Sequence, residues 1–125
     1  MKSKWTNIYS GDLPLRSWWI DSGDTCKYVS IVLPEVFGIN NWIRSFSEKL
    51  AAQNLTVLAL PLYGRTAPNL DLGYSEDDLK LGRHHKNLTT IKNIIEDVSA
   101  AINWVKEKYP GKKISIIGFC FGGHA

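Results

Sequence analysis

A strand-like run that leads into a glycine-rich segment near residue 120 limits what this chain can fold into. Residues 114–117 are rich in isoleucine, which predicts a buried strand, and residues 118–123 read Gly-Phe-Cys-Phe-Gly-Gly. The spacing Gly-x-Cys-x-Gly-Gly is typical of a nucleophile elbow, a sharp strand-to-helix turn that exposes a nucleophilic side chain above the edge of a sheet. The junction therefore predicts a reactive thiol at Cys120, with the backbone N–H of Phe121 directed at a developing oxyanion.

The same glycine-rich segment has two other interpretations. It could be a strand followed by a flexible turn that holds a buried structural thiol, because free cysteine is often buried in proteins. It could also be a phosphate-binding loop, but the Gly-Lys-Ser/Thr that closes such a loop is absent, and His124 and Ala125 stand there instead. The motif by itself leaves the structural thiol open.

The composition indicates a single globular domain over residues 1–125, with 44% hydrophobic and 22% charged residues. The net charge of +3 is scattered, and no basic run with interleaved aromatic residues suggests a nucleic-acid partner. No apolar run approaches the roughly 18 residues that a membrane span needs. Cys26 and Cys120 are too few for a disulfide framework, so a reducing cytoplasm is the expected location.

Alternating strand and helix patterns predict an α/β fold. Short apolar runs bounded by turn residues predict strands at residues 13–20, 28–33, 55–60 and 114–117. Amphipathic spacing predicts one helix that starts at Asn40 or Asn41 and ends at Asn54, and a second over residues 91–108. Helical crossovers between short buried strands predict a mostly parallel sheet with helices on both faces.

The segment between the third strand and the second helix shows no such periodicity. Residues 62–88 hold several glycines, a proline and an acidic run, so they are predicted to form a long irregular loop on the active-site side of the sheet. Irregular segments of this length in compact domains are usually functional.

Glu35 comes one residue after the strand predicted at residues 28–33 and Pro34, so it is expected at the same carboxyl edge of the sheet as Cys120. A carboxylate beside the thiol could act as its base, because an ordinary thiol is only a few per cent thiolate at neutral pH. Taken alone, Glu35 is better explained as a solvated loop acid or as a cap for the helix that follows it.

Three segments resemble the dienelactone hydrolase family, in the family's order. They are residues 33–40 (Leu-Pro-Glu-Val-Phe-Gly-Ile-Asn), residues 62–68 (Leu-Tyr-Gly-Arg-Thr-Ala-Pro) and residues 118–123. The resemblance covers the chain from about Tyr28 to its end. It implies a cysteine-based enzyme of the α/β-hydrolase fold that opens cyclic enol-lactones or related esters. It implies a small-molecule substrate, with no metal and no organic cofactor.

The resemblance also implies roles for individual residues. Cys120 matches the nucleophile, on which an acyl thioester forms. Glu35 matches the glutamate that pairs with the thiol and helps to activate it when substrate binds. The backbone N–H groups of Val36 and Phe121 match the donors of the oxyanion hole.

Two arginines are weaker candidates for contact with a substrate carboxylate. Arg65 has a structural alternative, in which it pairs with an acidic side chain. Arg83 lies in the predicted loop, where a guanidinium could bind a carboxylate in a bidentate manner. The family uses an arginine in this general region, although its spacing does not match Arg83 cleanly. His84 and His85 are predicted to be solvated loop residues, because no third cluster of metal ligands accompanies them.

In α/β-hydrolases the acid and the histidine of the triad follow the nucleophile in chain order. Here both are expected beyond residue 125, so the sequence is interpreted as the N-terminal half of an enzyme with little triad-dependent hydrolysis of its own. An interrupted gene product and a short non-catalytic binding or thiol module are the alternatives. An exposed last strand would favour self-association or a completing C-terminal segment.

Overall fold

The computed structural model of the protein describes residues 2–34, 37–63, 65–66 and 70–119. The elements in this part of the chain are β1 (Lys2–Ser10), β2 (Leu13–Asp21), β3 (Val29–Leu33), α1 (Asn41–Ala51), β4 (Thr56–Ala59), α2 (Glu76–Leu88), α3 (Ile91–Lys108) and β5 (Ile114–Gly118). Within these residues, every helix is too short or too polar to cross a lipid bilayer.

The five strands form one sheet in the order β1-β2-β4-β3-β5. β3 is parallel to β4 and to β5, whereas β2 is antiparallel to both β1 and β4. The α/β fold is confirmed, and the sheet is mixed: β3, β4 and β5 form its parallel part, and β1 and β2 form its antiparallel part. β1 and β2 are antiparallel because a two-residue loop joins them directly. Gly11 in this loop has φ +62°, the left-handed conformation that tight hairpins require.

β1 is the element at the N-terminus that the sequence did not predict. It is an edge strand in which only Ile8 is fully buried, so it lacks the apolar run that identifies a core strand. The predicted strands at residues 13–20, 28–33, 55–60 and 114–117 correspond to β2, β3, β4 and β5.

The helix α2 corrects the prediction of an irregular loop that extends to Leu88. The Ser75 hydroxyl caps α2 by accepting a hydrogen bond from the N–H of Asp78. The acidic residues of its first turn and the basic residues of its last turn interact favourably with the helix dipole and stabilise α2. α2 is polar on most of its surface, with only Gly82 buried, so it has no apolar periodicity for a sequence analysis to detect.

The helices α1 and α3 cover opposite faces of the sheet, as predicted. On the face covered by α1, called the α1 face, Ile43 and Ala51 pack with strand residues that include Val32 and Val57. On the opposite face, called the α3 face, Ala101 and Val105 pack with Ile31, Leu58 and other strand residues. Alternation of side chains along the strands supplies both cores, which fixes the register of the central strands.

Candidate active site

The parallel strands β3 and β5 end side by side at the carboxyl edge of the sheet. Leu33 lies opposite Gly118 in the strand register, and the N–H of Phe119 donates a 3.0 Å hydrogen bond to the carbonyl oxygen of Leu33. Near the other end of the pair, the hydroxyl groups of Ser30 and Ser115 lie 2.7 Å apart. The carboxyl ends of β3 and β5 are therefore in register.

The predicted residues Glu35, Val36, Cys120 and Phe121 lie outside the described residues, so their roles stay predictions. Their covalent neighbours are described: Pro34 precedes Glu35, and Phe119 precedes Cys120. The hydrogen bond from Phe119 to Leu33, the residue before Pro34, holds these two described neighbours at adjacent strand ends.

The segment that follows Glu35 and Val36 is held against the chain that leads to α2. The N–H of Leu72 donates a 2.9 Å hydrogen bond to the carbonyl oxygen of Phe37, and Gly38 forms a β-bridge with Asp71. Gly38 has φ +77°, and a Cβ atom at this position would lie 2.2 Å from the carbonyl oxygen of Leu70. Only glycine fits this contact, which explains one residue of the motif in structural terms.

Replacing Gly38 with alanine is expected to lower the free energy of unfolding by about 2 kcal/mol or more, since it adds a backbone clash to the strain of a positive φ. Gly111→Ala is the matched control, because Gly111 has φ +83° but open space around its Cβ position, so it should lose only about 1 kcal/mol. Urea denaturation followed by tryptophan fluorescence measures both. Equal losses in the two variants would contradict the close packing at Gly38.

Asn40 joins the start of α1 to the same neighbouring segment. Its Oδ1 accepts a hydrogen bond from the N–H of Ile43 at 3.1 Å, which caps the helix as the sequence predicted. Its Nδ2 donates to the carbonyl oxygen of Leu72 at 3.0 Å and lies 3.3 Å from the hydroxyl of Tyr74. One buried amide therefore fixes the first turn of α1 relative to the segment before α2.

An aromatic cluster supports the residue immediately before Cys120. The ring of Phe119 makes edge-to-face contacts with Trp42 at 5.2 Å and with Phe46 at 4.9 Å between ring centroids. Trp42 and Phe46 stack on each other along α1. Such pairs stabilise by about 0.5–1.5 kcal/mol each beyond simple burial. The end of β5 is thus anchored to α1 through side chains as well as to β3 through the backbone.

Arg65 forms a compact ion cluster with α3. Its Nη2 lies 2.9 Å from Oδ1 of Asp97 and 3.0 Å from Oε2 of Glu96, and its Nε lies 3.4 Å from Oδ2 of Asp97. The hydrogen bond with Asp97 is the main reason that the pKa of the Arg65 guanidinium is raised above its ordinary value. Asp97 is only 1% exposed, so Arg65 is the counter-charge of a buried carboxylate. Arg65 is thus paired with acidic side chains, as the structural interpretation of this residue predicted.

Arg83 and the two adjacent histidines lie on α2 instead of in a loop. Arg83 is exposed and has no hydrogen bond or ion pair with another described residue. Nδ1 of His85 lies 2.9 Å from the hydroxyl of Thr66, and the rings of His84 and His85 are 5.3 Å apart. In the part of the chain that the structure describes, no group of three or more histidine, cysteine or acidic residues could hold a metal ion.

The sequence analysis missed two features of this edge. The pattern of Trp42 and Phe46, four residues apart, predicted an apolar helix face, but it did not indicate that Phe119 packs against both rings. The amide of Asn40 was predicted only as a helix cap, and its contact with Leu72 was not. Both contacts join residues more than 30 positions apart, which no local pattern can show.

The sequence matches one protein family over most of its length. The model of the dienelactone hydrolase family matches residues 21–125. A protein of Synechocystis sp. with a provisional carboxymethylenebutenolidase name is 34% identical over 97 residues, which cover 76% of this chain and 39% of that protein. The carboxymethylenebutenolidase of Pseudomonas putida is 26% identical over 98 residues, which cover 76% of this chain and 41% of that enzyme.

The fold is shared with solved structures. A provisionally named dienelactone hydrolase from Klebsiella pneumoniae superposes with a TM-score of 0.80 at 23% identity, over 98% of this chain and 51% of that one. At this identity the likeness establishes the fold alone. The chain corresponds to the N-terminal part of these proteins and spans about half the length of the solved structure and less of the curated relatives.

Proposed function

Because the chain belongs to the dienelactone hydrolase family, we propose that it carries the nucleophile-bearing part of a hydrolase for lactone or ester bonds. The curated relatives are carboxymethylenebutenolidases by name, which supports a small-molecule lactone or ester as the substrate. The proposed location is the cytoplasm, where the thiol would stay reduced. The proposal requires no nucleic-acid or membrane partner.

The single observation that carries the proposal is that β3 and β5 are adjacent and that their carboxyl ends are in register. The hydrogen bond from Phe119 to Leu33 brings the last described residue before Cys120 next to the strand that leads to Glu35. Nucleophile and base must come within hydrogen-bonding distance for the thiol to be activated. Adjacent parallel strands whose carboxyl ends are in register can position such a pair.

The proposed reaction is acyl transfer to sulfur. Glu35 accepts the proton of the Cys120 thiol, and the thiolate attacks the carbonyl carbon of the substrate. The resulting oxyanion accepts hydrogen bonds from the N–H groups of Val36 and Phe121. Collapse of the tetrahedral intermediate breaks the carbon–oxygen ester bond, releases the alkoxide or enolate oxygen and leaves an acyl thioester on Cys120.

The second half of the reaction, hydrolysis of the thioester, needs an acid and a histidine that follow the nucleophile in the chain. A polypeptide tested without that acid and histidine is expected to perform one acyl transfer with little turnover. None of these steps calls on a metal or an organic cofactor. Arg83, which has a free guanidinium among the described residues, is proposed to attract a carboxylate-bearing substrate. Arg65 is a weaker candidate because Asp97 and Glu96 occupy its guanidinium.

Acylation by 4-nitrophenyl acetate tests the proposal. The wild-type chain should release about one equivalent of nitrophenolate and carry one acetyl group on the peptide that contains Cys120. Glu35→Gln should slow this release by roughly 10²-fold, the usual contribution of a general base. Exposed Glu48 on α1 offers a control in Glu48→Gln, which should acylate at the wild-type rate.

The alternative role of Cys120, a structural thiol, gives a different result. An unreacted Cys120 after prolonged incubation would contradict the proposed function, and so would rapid acylation that Glu35→Gln leaves unchanged.

A further inference from the structure

The strand β1 forms an edge of the sheet, and its outer side has no neighbour among the described residues. β1 is nine residues long and pairs with β2 at every position from Lys2 to Ser10, so it contains no bulge. Its sequence contains no proline. Short length, bulges and prolines are three features that keep a sheet edge from pairing with another chain, and β1 has none of the three.

The hairpin determines which backbone groups of β1 face outward. Gly11 and Asp12 form its two-residue loop, so Ser10 and Leu13 close this loop as a hydrogen-bonded pair. Backbone groups alternate in direction along a strand, so every second residue counted back from Ser10 also bonds to β2. The remaining residues direct their N–H and C=O groups to the open edge and are called the open-edge residues: Ser3, Trp5, Asn7 and Tyr9.

Unpaired charges lie beside this edge on the α3 face. Ile8 belongs to the core of that face, and Lys2 and Lys4 lie on the same side of β1 because side chains alternate along a strand. A groove of about 390 Å³ between β1 and α3 is lined by Ile8 and by Glu107 among others. Both lysines and Glu107 are exposed, and none of them has an ion pair with another described residue.

Two copies that pair through this edge are limited to one arrangement. A two-fold axis that joins the same strand of two copies within one sheet makes the two strands antiparallel. All open-edge residues of both copies form hydrogen-bonded pairs in one register, in which Thr6 lies opposite Thr6 of the second copy. A shift of this register by two residues in either direction leaves one open-edge residue of each copy outside the paired strands.

The charges of the two copies complement each other in this register. Lys4 of one copy lies opposite Ile8 of the other copy, on the face where Glu107 borders the groove. Registers that bring lysines opposite one another are disfavoured by like-charge repulsion. On the α1 face, Tyr9 is 60% exposed and would lie diagonally across from Trp5 of the second copy, within reach of an aromatic contact.

We propose that the open edge of β1 is an interface between two copies of this protein. The copies pair antiparallel through their open-edge residues, and their two five-stranded sheets become one continuous sheet. The lysines at the start of β1 select the register, because Lys4 of each copy pairs with Glu107 of the other. This inference uses neither the proposed reaction nor the position of Cys120.

Native mass spectrometry and backbone amide exchange of the full chain, from about 10 μM to about 1 mM, test the proposal. We expect a mass of two chains that becomes more abundant with concentration, and exchange at Trp5 and Asn7 that slows at least tenfold. Exchange at Ile116 and Gly118, on the opposite edge of the sheet, should not change. A chain that stays monomeric, or a dimer that slows exchange at β5 but not at β1, would overturn the proposal.

Charge reversal tests the register. Lys4→Glu and Glu107→Lys should each weaken dimerisation about tenfold, and the double variant should recover most of this loss. Lys106→Glu is the matched control, because Lys106 is exposed beside Glu107 on α3 but does not line the groove, so it should change dimerisation less than twofold. Equal effects of Lys4→Glu and Lys106→Glu, or a double variant without recovery, would contradict the proposal.

Asn7→Pro tests the backbone pairing. Proline has no N–H and its ring obstructs an incoming strand, so this variant should remain monomeric at about 1 mM. The N–H of Asn7 faces outward, so the substitution removes no hydrogen bond between β1 and β2. Circular dichroism reports whether the monomer is folded. A folded Asn7→Pro variant that dimerises as strongly as the wild type would overturn the proposal, and the charge-reversal series provides the test if this variant does not fold.

Discussion

Replacing Cys120 with alanine is expected to abolish acyl transfer from 4-nitrophenyl acetate, with a rate loss of roughly 10⁴-fold or more. The reason is that the other cysteine, Cys26, cannot replace the thiol, because it is 1% exposed and lies near the opposite end of β3. The initial release of nitrophenolate measures the effect. In a protein that also carries the acid and histidine of the triad, steady-state hydrolysis should fall by a similar factor.

Cys26→Ala is the control for this result. It removes a small buried side chain that packs away from the strand ends, so it should lower stability by about 1 kcal/mol and leave the acylation rate within twofold of wild type. A Cys120→Ala variant that still takes up one acetyl group would contradict the proposed role of Cys120, whatever the behaviour of Cys26→Ala.

Replacing Arg65 with alanine is expected to lower the free energy of unfolding by about 2–3 kcal/mol. The substitution leaves the carboxylate of Asp97 buried without its counter-charge, which typically costs about 3–5 kcal/mol, and the 29% exposure of the Arg65 side chain reduces this by solvent screening. Arg65→Lys should fall between wild type and Arg65→Ala, because an ammonium group cannot reproduce the two-point contact with Asp97. Urea denaturation measures all three proteins.

Arg83→Ala is the matched control, because Arg83 is exposed and has no ion pair among the described residues. It should change stability by less than about 0.5 kcal/mol. If Arg65→Ala were as stable as Arg83→Ala, the ion cluster would be only a surface contact, and the alternative role of Arg65 in binding a substrate carboxylate would gain support.

The sequence predicted correctly those features that depend only on neighbouring residues. Asn40 caps α1, and Asn54 adopts φ +64° after this helix, because a side-chain cap and a left-handed turn depend only on neighbouring residues. The core strands were recognisable because they are buried on both faces and therefore read as continuous apolar runs. β1 and α2 were missed because both are largely exposed, and an exposed element needs no apolar periodicity.

The candidate site was predictable only in part. The motifs placed Glu35 and Cys120 after two predicted strands, but they did not show that these strands are immediate neighbours in the sheet. The sequence offered both Arg65 and Arg83 as candidates for a substrate carboxylate, with a structural ion pair as the alternative for Arg65. The fold distinguishes them, because Asp97 of α3 lies 32 positions further along the chain and reaches Arg65 alone.

What the sequence by itself determined is the alternation of strands and helices and, through the resemblance of three motifs, the family. The alternation follows from spacing between nearby residues, and the roles of individual site residues stay predictions that the resemblance implies. Only the tertiary structure decided the sheet order, the contacts of Phe119 with α1, the ion cluster of Arg65 and the position of β1 at an edge of the sheet. Each of these depends on which distant segments meet. Chain topology and the burial of both faces of one sheet decide which segments meet, and no short stretch of residues reveals either of them.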